Sequence, residues 1–239
     1  MTLIKTTSMR KSERLAWAED SGRGLSATPG LFGWGRGTLP TMPPNGCFAA
    51  GTSISLFDGN AKSIEQISFF KGEAEPGDRI ITLGGNSVCV VDLVHGPESL
   101  PLAYLTVHAY DLAGEKQELT VGLTEKHPVL VRYNYLVQAN WLDVGDQVHT
   151  WYGPGIVVDV QRGVVTDDVW NLIMSGPEFL QAKGYVREDL RYAYASASLL
   201  GLSPRDHIIF ANKIALATWP LQTQLAAALK NGTNLNVFS

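Results

Sequence analysis

The stretch Cys47-Phe48-Ala49-Ala50-Gly51-Thr52-Ser53-Ile54 divides the chain into two unlike parts. Before it, turn-formers and scattered charge follow no period. After it, apolar and β-branched runs are split by Gly-Asp and Asn-Gly punctuation. Cys47 is one of only 2 cysteines, and Asn45-Gly46 stands directly behind it. A cysteine that opens a β-rich region after a glycine poses a chemical question: is its thiol placed to attack the peptide bond on its own N-terminal side?

Downstream, the pattern predicts strands at 52–57 and 63–67, joined by a hairpin turn at Asp58-Gly59-Asn60. Further strands are predicted at 79–83, 87–95, 102–110, 116–123, 128–135, 147–151, 155–162 and 169–174. Turns fall at Gly84-Gly85-Asn86, Ala113-Gly114-Glu115 and Gly145-Asp146. Many short strands at this spacing argue an all-β sandwich or barrel-like fold, not a parallel sheet with crossover helices. Two helical stretches interrupt the series. One spans 188–200 and stops at Gly201; the other spans 213–230, is broken at Pro220 and ends at Asn231-Gly232. From Leu221 onward the second is an amphipathic tail, with Leu225 and Leu229 continuing its stripe. Such a stripe packs against its own domain or docks a partner.

Upstream, residues 12–19 suit a short helix, but the Gly/Pro/Thr-rich run from 21 to 46 forbids regular structure. Leu31, Phe32 and Trp34 have no local core to enter. This leader reads either as a flexible tail or as an extended arm whose aromatics anchor on another subunit. Lys5, Arg10, Lys11, Arg14, Arg23 and Arg36 make it locally basic, which suits an acidic docking partner.

The totals narrow the function classes. With 45% hydrophobic and 18% charged residues the chain can bury a core. A net charge of −4 without a Lys/Arg run speaks against nucleic acid or an anionic membrane as partner. Cys47 and Cys89 do not make a disulfide framework, so a reducing compartment is expected, with Cys89 in the core. The N-terminus lacks the apolar core of a signal peptide, and no run reaches the ~18 apolar residues of a membrane span. The expected location is therefore cytoplasmic. His95, His108 and His149 show no metal-ligand spacing, so neither metal nor cofactor is expected.

Three separated stretches resemble one family, the Hedgehog/intein (Hint) domains. Residues 47–54 resemble its N-terminal motif, in which the cysteine is the first residue of the domain. Thr124-Glu125-Lys126-His127-Pro128 resembles its Thr-x-x-His motif. Val169-Trp170-Asn171-Leu172 and His207-Ile208-Ile209-Phe210-Ala211-Asn212-Lys213-Ile214 resemble its C-terminal motif in two halves. Gly77-Asp78, and Trp141-Leu142 with Gly145-Asp146, resemble its connecting turns. The resemblance covers about 47–217 and implies an all-β, horseshoe-like Hint fold with an inserted helix and a C-terminal helix. It divides the chain into a leader arm (1–46), a Hint domain (47–218, with an insertion at about 177–205) and a tail helix with the C-terminus (219–239).

By motif match, Cys47 attacks the carbonyl of Gly46 and converts the Gly46–Cys47 amide into a thioester. His127 is then the proton donor to the departing amide nitrogen. Thr124 is a hydrogen-bonding partner that polarises the bond, and His207 supports the tetrahedral intermediate. The plainer readings are a small buried apolar cysteine and a structural histidine. Three positions depart from the family. Asn171 stands where many inteins carry an aspartate. Ala217 and Thr218 occupy the places of the penultimate histidine and the cyclising asparagine. Alanine transfers no proton and threonine has no amide nitrogen to close a ring, so splicing is not expected.

Two readings follow. In one, the chain cleaves itself once at Gly46–Cys47 without splicing and is at most a single-turnover enzyme. In the other, it is a silent Hint module in a larger assembly. The family-level analogy for the second is to phage structural proteins and implies a place within a virion, with protein partners bound through the 1–46 arm and the tail helix, or a homo-oligomer.

Overall fold

The computed structural model describes residues 46–71, 74–97, 101–164, 168–175, 202–218, 221–222 and 228–232. The leader before Gly46, the helix expected at 188–200 and much of the tail lie outside the described residues. The described part is built almost wholly of strands, as the turn spacing predicts. These are β1 (Phe48–Ala49), β2 (Ser53–Ser55), β3 (Ala61–Ser63), β4 (Arg79–Ile81), β5 (Ser87–Pro97), β6 (Leu102–Tyr110) and β7 (Lys116–Thr124). They continue with β8 (Pro128–Val131), β9 (Tyr135–Gln138), β10 (Gln147–Thr150), β11 (Gly153–Val164), β12 (Asp168–Ser175), β13 (Ile208–Ala211) and β14 (Ile214–Ala217).

The strands hydrogen-bond in the order β3-β2-β13-β14-β8-β10-β11-β6-β7-β1-β12-β5-β4, with β9 paired to β8. Isolated bridges Leu56–Ile80 and Thr82–Ile209 tie the β4 end back to β2 and β13, so the ribbon curls round on itself. Period-2 alternation drives this closure. In β6, Ala103, Leu105, Val107 and Ala109 face inward while Tyr104, Thr106 and His108 are less buried. β13 and β14 are buried at every position, as strands covered on both faces must be. One core gathers Phe48, Ile54, Leu105, Leu123, Leu172 and Ile209. A second joins Leu130, Leu136, Ile208, Phe210 and Ala217 to Leu221 of the tail.

Three expected elements differ. The strand expected at 63–67 ends at Ser63, and Ile64–Gln66 forms a 3-10 turn. Ile64 and Ile67 are both buried, and residues three apart can point the same way only on a turn. The strand expected at 128–135 is a hairpin, β8 and β9, reversed at Tyr133 and Asn134 with φ of 64° and 63°. No glycine marks that turn, so the sequence pattern runs straight through it. The helix expected from 213 begins instead as strand β14, turned back on β13 by Asn212 and Lys213, with φ of 45° and 64°. Two left-handed residues in succession make the tight connection that suits right-twisted strands. Among the described residues α-helix appears only at 221–222 and 228–230.

Candidate functional site

β1 is two residues long and lies between β7 and β12. Its register pairs Phe48 with Leu123 on one side and with Trp170 on the other. One residue further along both antiparallel ladders, Cys47 falls between Thr124 and Asn171. Strand register alone thus gathers three of the motifs at one point.

The Gly46–Cys47 peptide bond is gripped on both sides. Cys47 N–H donates to Thr124 Oγ1 at 2.7 Å, and Thr124 N–H donates to the Cys47 carbonyl at 3.0 Å. Asn171 Nδ2 donates to the Gly46 carbonyl oxygen at 2.7 Å. Asn171 Oδ1 accepts from Leu172 N–H at 2.8 Å, which fixes which end of the amide faces Gly46. An ionised aspartate could not make this contact, because a carboxylate only accepts. The sequence departure at Asn171 therefore places a donor on the carbonyl of the junction.

Gly46 has φ of +132°, a conformation reserved for glycine, and a Cβ there would stand 2.6 Å from His127 Cα. The close approach sets the junction directly against His127. Cys47 is 1% exposed and packs with Ala49, Leu102 and Val169 under the flank of Tyr104. Phe48, on the alternate face of the strand, meets the His127 ring at 4.5 Å between centroids. The histidine thus sits on the Phe48 side of the junction.

His127 is fully buried, and neither ring nitrogen has a hydrogen-bond partner among the described residues. Burial drives its pKa down to about 3; the nearby backbone of Cys47 and Ala217 pulls the other way without making a well-formed bond to the ring. The imidazole is therefore neutral near pH 7 and begins any reaction able to take a proton.

The second junction lies on the far side of His127. Leu216 pairs with Val129, so Ala217 and Thr218 run alongside Pro128 and His127. Thr218 N–H and Oγ1 donate to the His207 carbonyl at 2.8 Å and 3.1 Å, and His207 Nδ1 lies 3.4 Å from Thr218 Oγ1. His207 is buried on this second junction, beside Thr218. Gly46, Cys47, Thr124, His127, Asn171 and Ala217 come together; His207 and Thr218 sit one step away.

Sequence reasoning missed one residue here. Gln222 is 1% exposed; its Oε1 accepts from Asn171 Nδ2 at 3.1 Å and its Nε2 donates to the Ala217 carbonyl at 2.8 Å. In the sequence it reads as an ordinary polar position beside an amphipathic stripe, and no motif singles it out. Among the described residues no group of three His, Cys, Asp or Glu is placed to hold a metal ion.

Fold and geometry define an all-β protein with one peptide bond held in a buried, hydrogen-bonded pocket. The chain is similar to solved intein and intein-like structures. A bacterial intein-like domain from Clostridium thermocellum aligns at 18% identity and TM-score 0.47, over 72% of this chain and 98% of that one. The gp41-1 intein aligns at 12% identity and TM-score 0.44, over 72% and 98%. The Ssp DnaB mini-intein variant M86 aligns at 12% identity and TM-score 0.40, over 74% and 97%. No family model and no curated protein matches the chain.

Proposed function

We propose that the chain is a Hint-type autoprocessing protein that performs an N–S acyl shift at Gly46–Cys47 and does not splice. The observation that carries this reading is the Asn171 amide aimed at the Gly46 carbonyl oxygen, 2.7 Å away. Cys47 Sγ bonds to the Gly46 carbonyl carbon, and the C=O electrons move onto the oxygen, where the Asn171 N–H holds the developing charge. Collapse breaks the C–N bond. The thiol proton ends on the Cys47 nitrogen, leaving a Gly46 thioester and a free Cys47 amine. His127, on the Phe48 face and away from the thiol, is suited to relay a proton to that nitrogen. Thr124 holds the Cys47 N–H and fixes the face from which the nitrogen is protonated. Water or an external nucleophile then releases residues 1–46 and restores the thiol. Ala217 and Thr218 lack the groups for the second cleavage of splicing.

One observation favours the silent-module reading: Cys47 is 1% exposed and packed among apolar side chains, which shields the junction from an external nucleophile. In that reading the fold serves an assembly, with the leader and tail contacting protein partners, as in a phage structural protein. Intact mass of freshly prepared full-length protein, with and without hydroxylamine, separates the two. Autoprocessing gives a fragment beginning at Cys47 that Cys47→Ala abolishes. A single 26.0 kDa species in hydroxylamine would sink autoprocessing and leave the module.

A further inference from the structure

We propose that Gln222, from the segment beyond the last strand, is a positioning residue for the Gly46–Cys47 bond, so that the tail completes the site in cis. The inference rests on the acyl-shift reading above. Asn171 Nδ2 carries two N–H groups and faces two acceptors, the Gly46 carbonyl at 2.7 Å and Gln222 Oε1 at 3.1 Å. Its own oxygen is occupied by Leu172 N–H. At the other end, Gln222 Nε2 faces the Ala217 carbonyl at 2.8 Å, and a carbonyl can only accept. The direction of each bond is therefore forced. Flipping either amide would set acceptor against acceptor or donor against donor.

This matters because the terminal torsion of asparagine is broad and roughly two-fold. The Leu172 bond alone holds one corner of the amide. Gln222 supplies the second restraint and satisfies an N–H that would otherwise be buried without a partner. Gln222 is itself anchored. Leu221, fully buried, packs into the second core, and Gln222 N–H donates to the Thr218 carbonyl at 3.2 Å. These contacts hold the Gln222 amide over the first junction. The two junctions are joined by a relay running from the Ala217 carbonyl through Gln222 and Asn171 to the Gly46 carbonyl.

The test uses the full chain, with hydroxylamine release of the leader as readout and thermal melting at each pH as a folding control. Gln222→Met keeps length and apolar packing but loses both hydrogen bonds. Release is expected to slow between about tenfold and a hundredfold while the fold melts above the assay temperature. Gln222→Glu adds a signature that loss of packing cannot imitate. As a neutral acid it donates to the Ala217 carbonyl and accepts from Asn171; as an anion it cannot donate. Its rate relative to wild type at the same pH is expected to fall as pH rises through the carboxyl's pKa, which burial lifts. Wild-type release by Gln222→Met, or a flat Gln222→Glu ratio, overturns the inference while leaving the acyl shift standing. Absence of any Cys47-dependent product from wild type removes the acyl-shift reading and this inference with it.

Discussion

At the scale of single residues, the site turns on which atoms donate and which accept. Asn171 presents N–H to the Gly46 carbonyl, and the geometry suits an oxygen that gains charge during attack. Asn171→Asp keeps the shape and reverses the chemistry. An ionised carboxylate would face the Gly46 carbonyl and Gln222 Oε1, both acceptors, inside a buried pocket. The expected outcome is Cys47-dependent release in hydroxylamine slowed by about 10²–10³-fold, the cost of losing one oxyanion donor. Release from Asn171→Asp as fast as wild type would show that the Asn171 bond only packs the junction. Gly46 is constrained by space as well as by chemistry. The atom nearest a Cβ there is His127 Cα, part of the backbone, so no side-chain rotation relieves the contact.

At the scale of elements, the slot that holds β1 has a floor made by Gly122 of β7. Tyr104 of β6 pairs with Gly122 across the ladder and lays its ring over the missing side chain. A Cβ at Gly122 would stand 2.6 Å from Tyr104 Cε1 and 2.8 Å from Ala49 Cβ. Gly122→Ala therefore displaces the ring that flanks Cys47 and lifts β1 together. A loss of about 1–3 kcal/mol is expected from overpacking, read as a lower urea midpoint with unchanged slope. An unchanged midpoint would mean that β1 yields without strain. The strands themselves were legible because β6 alternates and because the apolar, β-branched runs of β5 and β7 follow glycine turns. The β8–β9 and β13–β14 reversals were not, because Tyr133-Asn134 and Asn212-Lys213 take positive φ without glycine. Cys47, Thr124 and His127 were legible as a motif. The Asn171 donor and Gln222 were not, because their roles arise only when β12 and the tail are packed against β1.

At the scale of the whole molecule, the buried neutral His127 ties the fold to pH. Its pKa is about 3 in the fold, against an ordinary value of 6.5. The folded state thus refuses a proton that the unfolded chain accepts once pH drops below about 6.5. The stabilisation is fully present above that value and is lost as pH falls toward the folded pKa, at up to about 1.4 kcal/mol per pH unit. His149, half-buried and lowered by desolvation, adds a smaller contribution of the same sign. Asp206 acts in a more acidic window. Burial pushes its carboxyl up, but bonds from Ser203, Thr82 and Asn86 outweigh that and hold it below 3.8, so its stabilisation is lost only at lower pH. The contribution of His127 is isolated by His127→Leu, which also removes two unpartnered ring nitrogens and so need not weaken the fold near neutrality. Urea unfolding measured between about pH 6.5 and about pH 4.5 should fall steeply for wild type and less steeply for His127→Leu. Parallel curves for the two proteins would mean that His127 takes up its proton inside the fold, and the reading of a neutral imidazole beside the Cys47 nitrogen would go with them.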